Sequence, residues 1–499
     1  MPKSVFFNHA GRTAFCAAML CALSGCLVGP RYHQPAALQE QAPASYKEAA
    51  VHFKDGIGWK EARPDGVMLR GDWWRIYNEP ALNDLEGQLN INNQNIKQFF
   101  QNFMAARAQA DEAVSQLWPT LTANGSALRS ASGQATPMTA LMTSLSLSWE
   151  PDLWGRIRNQ VRAAEYNAQL SEADLENEKL TEQTQLAVLY FQIRGQDALE
   201  QLYQDTIKAD KIALEYNENQ FKTGITGEIS VAEAQTTLEN AEAAATNISL
   251  LRAQYEHAIA TLVGRPASDF SIPLKVLNAE PPPIPIGVPS QLLERRPDIA
   301  AAERAMAAAN ANIGVAYAAY FPTITLGGEG GYKGGPTFAQ LYNAQNRFWS
   351  VGPTVSEELI DGGLRNATVH QNVAIYNAAL ASYRQTTLTA FQQVEDYLAQ
   401  VRILSKQLIQ QRAAAKSAAR SLDLEMSRYR TGIDPYVDVT TAQTTLLGDQ
   451  QAVINVQVQE MTGSVQLIEA LGGGWDRSQL PSPWQVSAPP SAAETAIQH

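Results

Sequence analysis

The chain has 499 residues, with 38 lysines and arginines against 50 aspartates and glutamates, and a formal net charge of −12 at pH 7. This acidic balance disfavours nucleic acid and anionic lipid as partners, because both repel a negatively charged surface. All three cysteines lie within the first 26 residues, which excludes a disulfide framework in the remainder of the chain.

The N-terminus has the pattern of an export signal. Lys3 and Arg12 precede an apolar stretch, residues 13–23, that is too short to cross a bilayer as a helix. The letters LSGC at residues 23–26 resemble the bacterial lipoprotein processing box, which predicts removal of residues 1–25 as a lipoprotein signal peptide and a covalent lipid on Cys26. A plain signal peptide that happens to contain cysteines is the alternative. No run of 18 apolar residues follows Cys26, so any membrane span would have to be β.

Helix and strand patterns then alternate along the chain. Residues 26–80, rich in proline and tryptophan, show no period and are predicted to form an extended N-terminal arm. Residues 82–117 read as helix and end before Pro119. Apolar and polar residues alternate from 144 to 149 and again from 349 to 356, which predicts strands. The predicted strand pairs are 120–131 with 140–150, and 322–333 with 347–357.

Each strand pair is followed by a helical tract of unusual length. An unbroken helix over residues 155–222 would measure on the order of 100 Å, at about 1.5 Å per residue. Apolar residues in the next tract recur at spacings of three and four, as a coiled-coil seam requires. An ordinary helical bundle core would give the same stripes. The stripe of the first repeat comprises Ile248, Leu251, Tyr255, Ala258 and Leu262, and that of the second comprises Ile454, Val458, Met461, Val465 and Ile468.

The chain contains an internal repeat. The letters AQTTL occur at residues 234–238 and again 208 residues later, at 442–446, and the same displacement carries residues 223–225 (TGI) onto 431–433. Units of this length indicate a duplicated domain rather than a solenoid. We predict a first structural repeat over 81–275, a second over 276–474 that begins with a polyproline-like connector, and a flexible C-terminal tail over 475–499.

Four strands cannot close around a lumen, because even small membrane barrels use about eight. Apolar strands in a membrane need closure, since open edges leave backbone groups unpaired in hydrocarbon. Several chains would therefore have to contribute strands. The long helices would leave this barrel in one direction, and a hollow conduit is the simplest use of that shape.

Three segments resemble the lipoprotein branch of the outer membrane efflux protein family, the relatives of TolC: residues 26–35 (CLVGPRYHQP), 73–82 (WWRIYNEPAL) and 289–299 (PSQLLERRPDI). The resemblance implies a mixed α and β membrane protein, a homotrimer whose twelve-stranded β-barrel, with four strands per chain, continues into a long α-helical coiled-coil barrel. It implies the outer membrane of a Gram-negative bacterium, with outer membrane lipid around the barrel. It also implies a periplasmic adaptor and an inner-membrane pump of the resistance-nodulation-division class as partners.

The resemblance also assigns candidate site residues. The breaks between paired helices are expected to be the tips where the adaptor docks, although they could be simple helix caps; they comprise Thr223, Gly224, Ile225, Thr431, Gly432 and Ile433. Asp438 is expected to narrow the entrance with its two symmetry copies, unless it is only a solvated aspartate on a helix face. Tyr429 matches an entrance tyrosine of TolC, whereas Asp434 stands where TolC has an arginine.

The sequence gives no indication of enzyme chemistry. The six histidines are scattered, and the glycine-rich run at 327–335 lacks the Gly-Lys-Ser/Thr of a phosphate-binding loop. We expect no cofactor other than the lipid on Cys26. The leading prediction is a passive exit duct for small molecules in tripartite efflux. Type I protein secretion and a periplasmic lipoprotein scaffold without a channel are the alternatives.

Overall fold

The computed structural model describes residues 27–38, 45–48, 71–133, 136–276, 280–284 and 291–486. Cys26, the predicted signal peptide and residues 487–499 lie outside these ranges. In chain order the helices and strands are α1 (Pro80–Asn92), α2 (Gln94–Ser115), β1 (Thr120–Ser130), β2 (Met138–Trp149), α3 (Arg156–Lys222), α4 (Glu228–Leu262), α5 (Leu292–Arg295), α6 (Pro297–Ala318), β3 (Thr323–Lys333), α7 (Phe338–Leu341), β4 (Arg347–Ser356), α8 (Leu364–Arg430), α9 (Tyr436–Ala470) and α10 (Pro483–Val486).

Helix lengths repeat in the two halves of the chain. The long helices α3 and α8 each have 67 residues, α4 and α9 each have 35, and α2 and α6 each have 22. The displacement of 208 residues found in the sequence separates the first residues of α3 and α8, and also those of α4 and α9. The mixed α and β fold class is confirmed, with four strands among the residues that the structure describes.

The four strands form one antiparallel sheet in the order β1-β2-β3-β4. Its register places Leu145 beside Ala123 and Gly330, and Ser146 beside Thr122 and Glu329. Because directly paired residues share a face, the valines, Trp349 and the leucines other than Leu128 lie on one side, and the serines and Glu329 lie on the other. We call these the apolar face and the polar face of the sheet.

The helices pack side by side, with α3 against α2, α4 and α6, and α8 against α6 and α9. Their largest apolar cluster lies where both halves meet and includes the fully buried Tyr190, Phe191 and Met461. Smaller clusters continue along the hairpins toward the helix tips. No helix in the described ranges is long and apolar enough to cross a membrane.

Two features of the N-terminal region differ from the sequence prediction. The predicted extended arm contains a 3₁₀ helix, Trp73–Tyr77, whose aromatic side chains are buried in the main cluster. The single helix predicted over 82–117 is broken at Asn93, whose side chain accepts a hydrogen bond from the Ile96 N–H and donates to the Leu262 carbonyl. The side chain of a capping asparagine bonds to the backbone of the helix that follows, and this conformation prevents the preceding helix from continuing through it.

The prediction of a flexible tail is wrong for residues 475–486. Trp475 is buried against Ala173 and Ala300, and the Arg107 guanidinium donates to the Val486 carbonyl at 3.0 Å. An ion pair joins Arg477 to Glu303 at 3.1 Å. Buried apolar side chains and satisfied carbonyls thus hold a segment that has no periodicity in its sequence.

Candidate functional site

Two matching turns close the helical hairpins at the end far from the sheet. In the first, the Ile225 N–H donates to the Gln220 carbonyl and the Gly224 N–H to the Phe221 carbonyl, at 2.9 and 3.0 Å. In the second, the N–H groups of Ile433 and Gly432 repeat this pattern at 3.0 and 2.9 Å. Both are Schellman motifs, which need a residue with positive φ just after the helix.

Glycine meets that requirement at both turns. Gly224 has φ of 74° and Gly432 has φ of 73°, and a Cβ at either position would meet no heavy atom within 4 Å. The hydroxyls of Thr223 and Thr431 each donate back to carbonyls of the preceding helix turn. The two turns are therefore fixed by local hydrogen bonds rather than by packing.

Apolar side chains are exposed at these tips. Ile225 is 73% exposed and Ile433 is 65% exposed, and the neighbouring Ile229 and Val437 are exposed as well. Isoleucines at matching positions of two rigid turns leave apolar surface in water, at a cost that burial against a partner would remove. Thr223, Gly224 and Ile225 thus lie together at one tip, and Thr431, Gly432 and Ile433 at the other.

Tyr429 connects the two hairpins just above the second turn. Its hydroxyl donates to Asn217 Oδ1 at 2.7 Å and to Gln220 Oε1 at 3.2 Å, both on α3. Its ring packs against those of Tyr216 and Tyr436. Burial raises the pKa of the Tyr429 hydroxyl, so it remains a hydrogen-bond donor at neutral pH. Since Asn217 is fully buried, its amide oxygen is shielded from water.

Asp438 lies exposed in the first turn of α9, within an acidic group that the sequence did not predict. Carboxylate oxygens of Glu425, Asp434 and Asp438 lie within 4.8 Å of one another. Arg428 binds Asp434 through two nitrogens, one of them at 2.9 Å, and this hydrogen bonding lowers the pKa of Asp434. One guanidinium against three carboxylates leaves a negative surface. The contact with Arg428 makes this group a poor metal site, because Asp434 is already paired.

Asp210 is a second residue that sequence reasoning missed. It is 3% exposed on α3, and one carboxylate oxygen has no hydrogen-bond partner among the described residues. Burial raises its pKa to about 6. The displacement of 208 residues makes Ala418 the equivalent residue in the second repeat, and Ala418 is also buried. An aspartate at a position where the other repeat has alanine was the signal available in the sequence.

Residues 27–30 dock at the junction between the sheet and the helices. The Val28 N–H donates to the Trp154 carbonyl at 3.0 Å, and Asn159 Nδ2 donates to the Val28 carbonyl at 3.1 Å. Gly29 has φ of 108°, and a Cβ there would lie 2.5 Å from the Gly314 backbone. The chain after Cys26 is therefore held at the base of the strands, although Cys26 itself lies outside the described residues.

Comparisons with known proteins agree with this arrangement. The family model described as "Outer membrane efflux protein" matches residues 85–265 and 288–473. The chain is 30% identical over 470 residues to the antibiotic efflux pump outer membrane protein ArpC and to the toluene efflux pump outer membrane protein TtgC, both of Pseudomonas putida. Each of these alignments covers 91% of this chain and 93% of the relative. The solved structure of the outer-membrane channel OprN is similar with a TM-score of 0.81 and 28% identity, over 90% of this chain and 100% of that one.

Proposed function

This chain belongs to the outer membrane efflux protein family, and we propose that it forms the exit duct of a tripartite efflux system. It is an outer membrane channel of an efflux system, not a member of an enzyme family. The further details proposed here concern its assembly, its lipid anchor, its partners and its cargo.

We propose that three chains close one barrel. Strands β1 and β4 are the edges of the sheet, and each has a neighbour on one side only in the part of the chain that the structure describes. Open edges of 11 and 10 residues would leave backbone groups unpaired in lipid. Pairing β1 of one chain with β4 of the next in a homotrimer removes every edge and gives twelve strands.

The helices then extend from the barrel into the periplasm and form its tubular continuation. In this orientation the turns at 223–225 and 431–433 face the inner membrane, and the connections at 131–137 and 334–346 face the outside. The exposed isoleucines of the turns suit the apolar tip of a periplasmic adaptor. An inner-membrane pump of the resistance-nodulation-division class would supply the energy, so this chain would need neither nucleotide nor metal.

We propose that Cys26 carries the covalent lipid. The docking of residues 27–30 at the base of the strands supports this assignment, because it brings the neighbouring residue to the level where acyl chains could enter the inner leaflet. Acyl chains contribute about 0.8 kcal/mol per buried methylene to membrane binding.

At the entrance, Asp438 and Tyr429 have different proposed roles. Three symmetry copies of the group around Asp438 would place excess negative charge about one axis, favouring cations over anions. Tyr429 would hold the second hairpin against the first through Asn217 and so oppose opening.

For the cargo we propose small organic molecules. The relatives at 30% identity are named for the efflux of antibiotics and of toluene.

The observation that carries the proposal is the match to the family across both repeats. The test is an epitope inserted in the connection 131–137, with the same epitope at the turn 223–227 as the control. Antibody should label the first on intact cells and the second only after the outer membrane is permeabilised. A periplasmic scaffold without a barrel would show neither epitope on intact cells, and that result would overturn the proposal.

A further inference from the structure

The apolar face of the sheet carries a groove near its outer end. The groove has a volume of about 770 Å³, and its lining includes Gly125 and Gly330, then Leu145, Tyr332, Tyr342 and Trp349. The two glycines form its floor, since strand register places both on the apolar face. We call this site the aromatic groove.

The two glycines make the groove deep, and close packing does not require glycine at either position. A Cβ at Gly330 would have its nearest heavy atoms at 3.9 Å, and one at Gly125 would meet nothing within 4 Å. Side chains could therefore fill the floor without disturbing the sheet, yet the chain has none there. Trp349, which lines the groove next to Gly330, is 75% exposed and forms an apolar wall of the groove.

The connection between β3 and β4 builds the remaining wall. Its Gly334 N–H donates to the Leu141 carbonyl at 2.9 Å, and its Leu341 is fully buried. These contacts hold Tyr342 against Tyr332, with ring centroids 5.2 Å apart and an interplanar angle of 70°. The aromatic groove is thus preformed, which lowers the ordering cost of filling it.

Positive charge lies at the same end of the same face. Arg347 lines the groove, and Arg129 lies on the apolar face near the end of β1. Both are exposed, and neither forms an ion pair with any carboxylate that the structure describes. At the helical end of the strands, by contrast, the arginines are paired with carboxylates, in Arg156–Glu150, Arg158–Asp152, Arg365–Glu357 and Arg365–Asp361.

Trimer closure would bring the two cations onto neighbouring strands. Arg347 is on β4 and Arg129 on β1, the two edges of the sheet. If β4 of one chain pairs with β1 of the next, Arg347 and the neighbouring chain's Arg129 lie at the same end of adjacent strands. Two guanidinium groups at the top of an acyl-sized apolar groove are complementary to a phosphate on a lipid.

We propose that the aromatic groove binds a phosphate-bearing lipid of the outer leaflet, with an acyl chain over Gly125 and Gly330 and the phosphate on Arg347. The proposal rests on the outer membrane function and orientation proposed above. It also corrects the prediction, made from net charge, that anionic lipid is a disfavoured partner. The chain is acidic as a whole, but its outward face at this end carries only arginine charge.

The experiment is native mass spectrometry of the full-length trimer in detergent, titrated with bisphosphorylated lipid A. We expect lipid A to bind at least tenfold more tightly than its dephosphorylated form, and Arg347→Gln to reduce the affinity about tenfold. Gly330→Leu should reduce binding by filling the floor. Lys333→Gln is the matched control, because Lys333 lies at the same end of the sheet but on the polar face, and it should leave the affinity unchanged.

The possible results separate this inference from the proposed function. A stable trimer that binds phosphorylated and dephosphorylated lipid A equally, or that is unaffected by both Arg347→Gln and Gly330→Leu, overturns the lipid site alone. Equal binding of phosphatidylglycerol and lipid A would assign the groove to phosphate-bearing lipids in general. Absence of a trimer overturns the barrel proposal and the lipid site together.

Discussion

Replacing Tyr429 by phenylalanine should loosen the helix tips. The change removes one hydroxyl and leaves the ring contacts with Tyr216 and Tyr436 in place. What is lost is the donor to Asn217 Oδ1 at 2.7 Å and to Gln220 Oε1 at 3.2 Å. These are hydrogen bonds between the two hairpins, so their loss acts on the contact that opening of the tip would break.

The magnitude follows from the burial of Asn217. Its Nδ2 still donates to the Ala213 carbonyl at 2.8 Å, but its Oδ1 is left without its tyrosine donor in a side chain that water does not reach. A buried acceptor left unsatisfied costs about 1–3 kcal/mol. If the bond exists only when the hairpins are together, the equilibrium between separated and joined tips shifts by about 5–150-fold.

Hydrogen–deuterium exchange of the trimer in detergent measures this shift. Amides near residues 217–222 and 429–436 should exchange about 5–150-fold faster in Tyr429→Phe than in the wild type, because their protection reflects the local opening free energy. Tyr216→Phe is the control. It loses a hydrogen bond from the half-buried Gln220 and leaves no fully buried acceptor unpaired, so its exchange should change little. Equal exchange in Tyr429→Phe and wild type would show that the Tyr429–Asn217 hydrogen bond does not hold the tip closed, as would an equally large effect of Tyr216→Phe.

Three further predictions concern other parts of the chain. Burial raises the pKa of Glu469 to about 7. Its favourable contribution to stability is therefore complete below about pH 4.5 and is lost as the pH rises through about 7. Glu469→Gln should raise the thermal unfolding midpoint at pH 8 and change it little at pH 5. Gly432→Ala should destabilise the second turn by about 1–2 kcal/mol, because an L-residue is strained at φ of 73°, and an unchanged unfolding midpoint would contradict this. Cys26→Ser should abolish incorporation of labelled palmitate, and labelling of that variant would refute the lipid assignment.

The sequence predicted the regular elements well because their signals are local. The predicted strands agree with β1 to β4 within a few residues, since alternation of leucine with serine depends only on adjacent positions. The break at Thr223 was visible because a helix that ends in a Schellman motif needs glycine one position later. The repeat of this break at Thr431 made the paired hairpins predictable from one displacement.

Contacts between distant segments were not predictable in the same way. Tyr429 and Asn217 are 212 positions apart. They do not occupy equivalent positions of the two repeats, which are displaced by 208 residues, so the repeat could not reveal their hydrogen bond. The packed segment at 475–486 has no period because its contacts are a buried tryptophan and backbone carbonyls rather than an amphipathic face. Arg428 could not be assigned to Asp434 until the turn geometry brought them together.

If the chain forms a water-filled duct, single-channel recording of the purified full-length trimer in a planar bilayer should detect its conductance. We expect discrete conductance steps, with lower cation preference or higher conductance in Asp438→Ala. Asp423→Ala is the matched control, because it removes one carboxylate that is 72% exposed, is paired with Arg420 and is not among the three carboxylates grouped around Asp438, and it should behave as wild type. A confirmed trimer that conducts no current, either as wild type or as Asp438→Ala, would show that the chain does not form a water-filled duct.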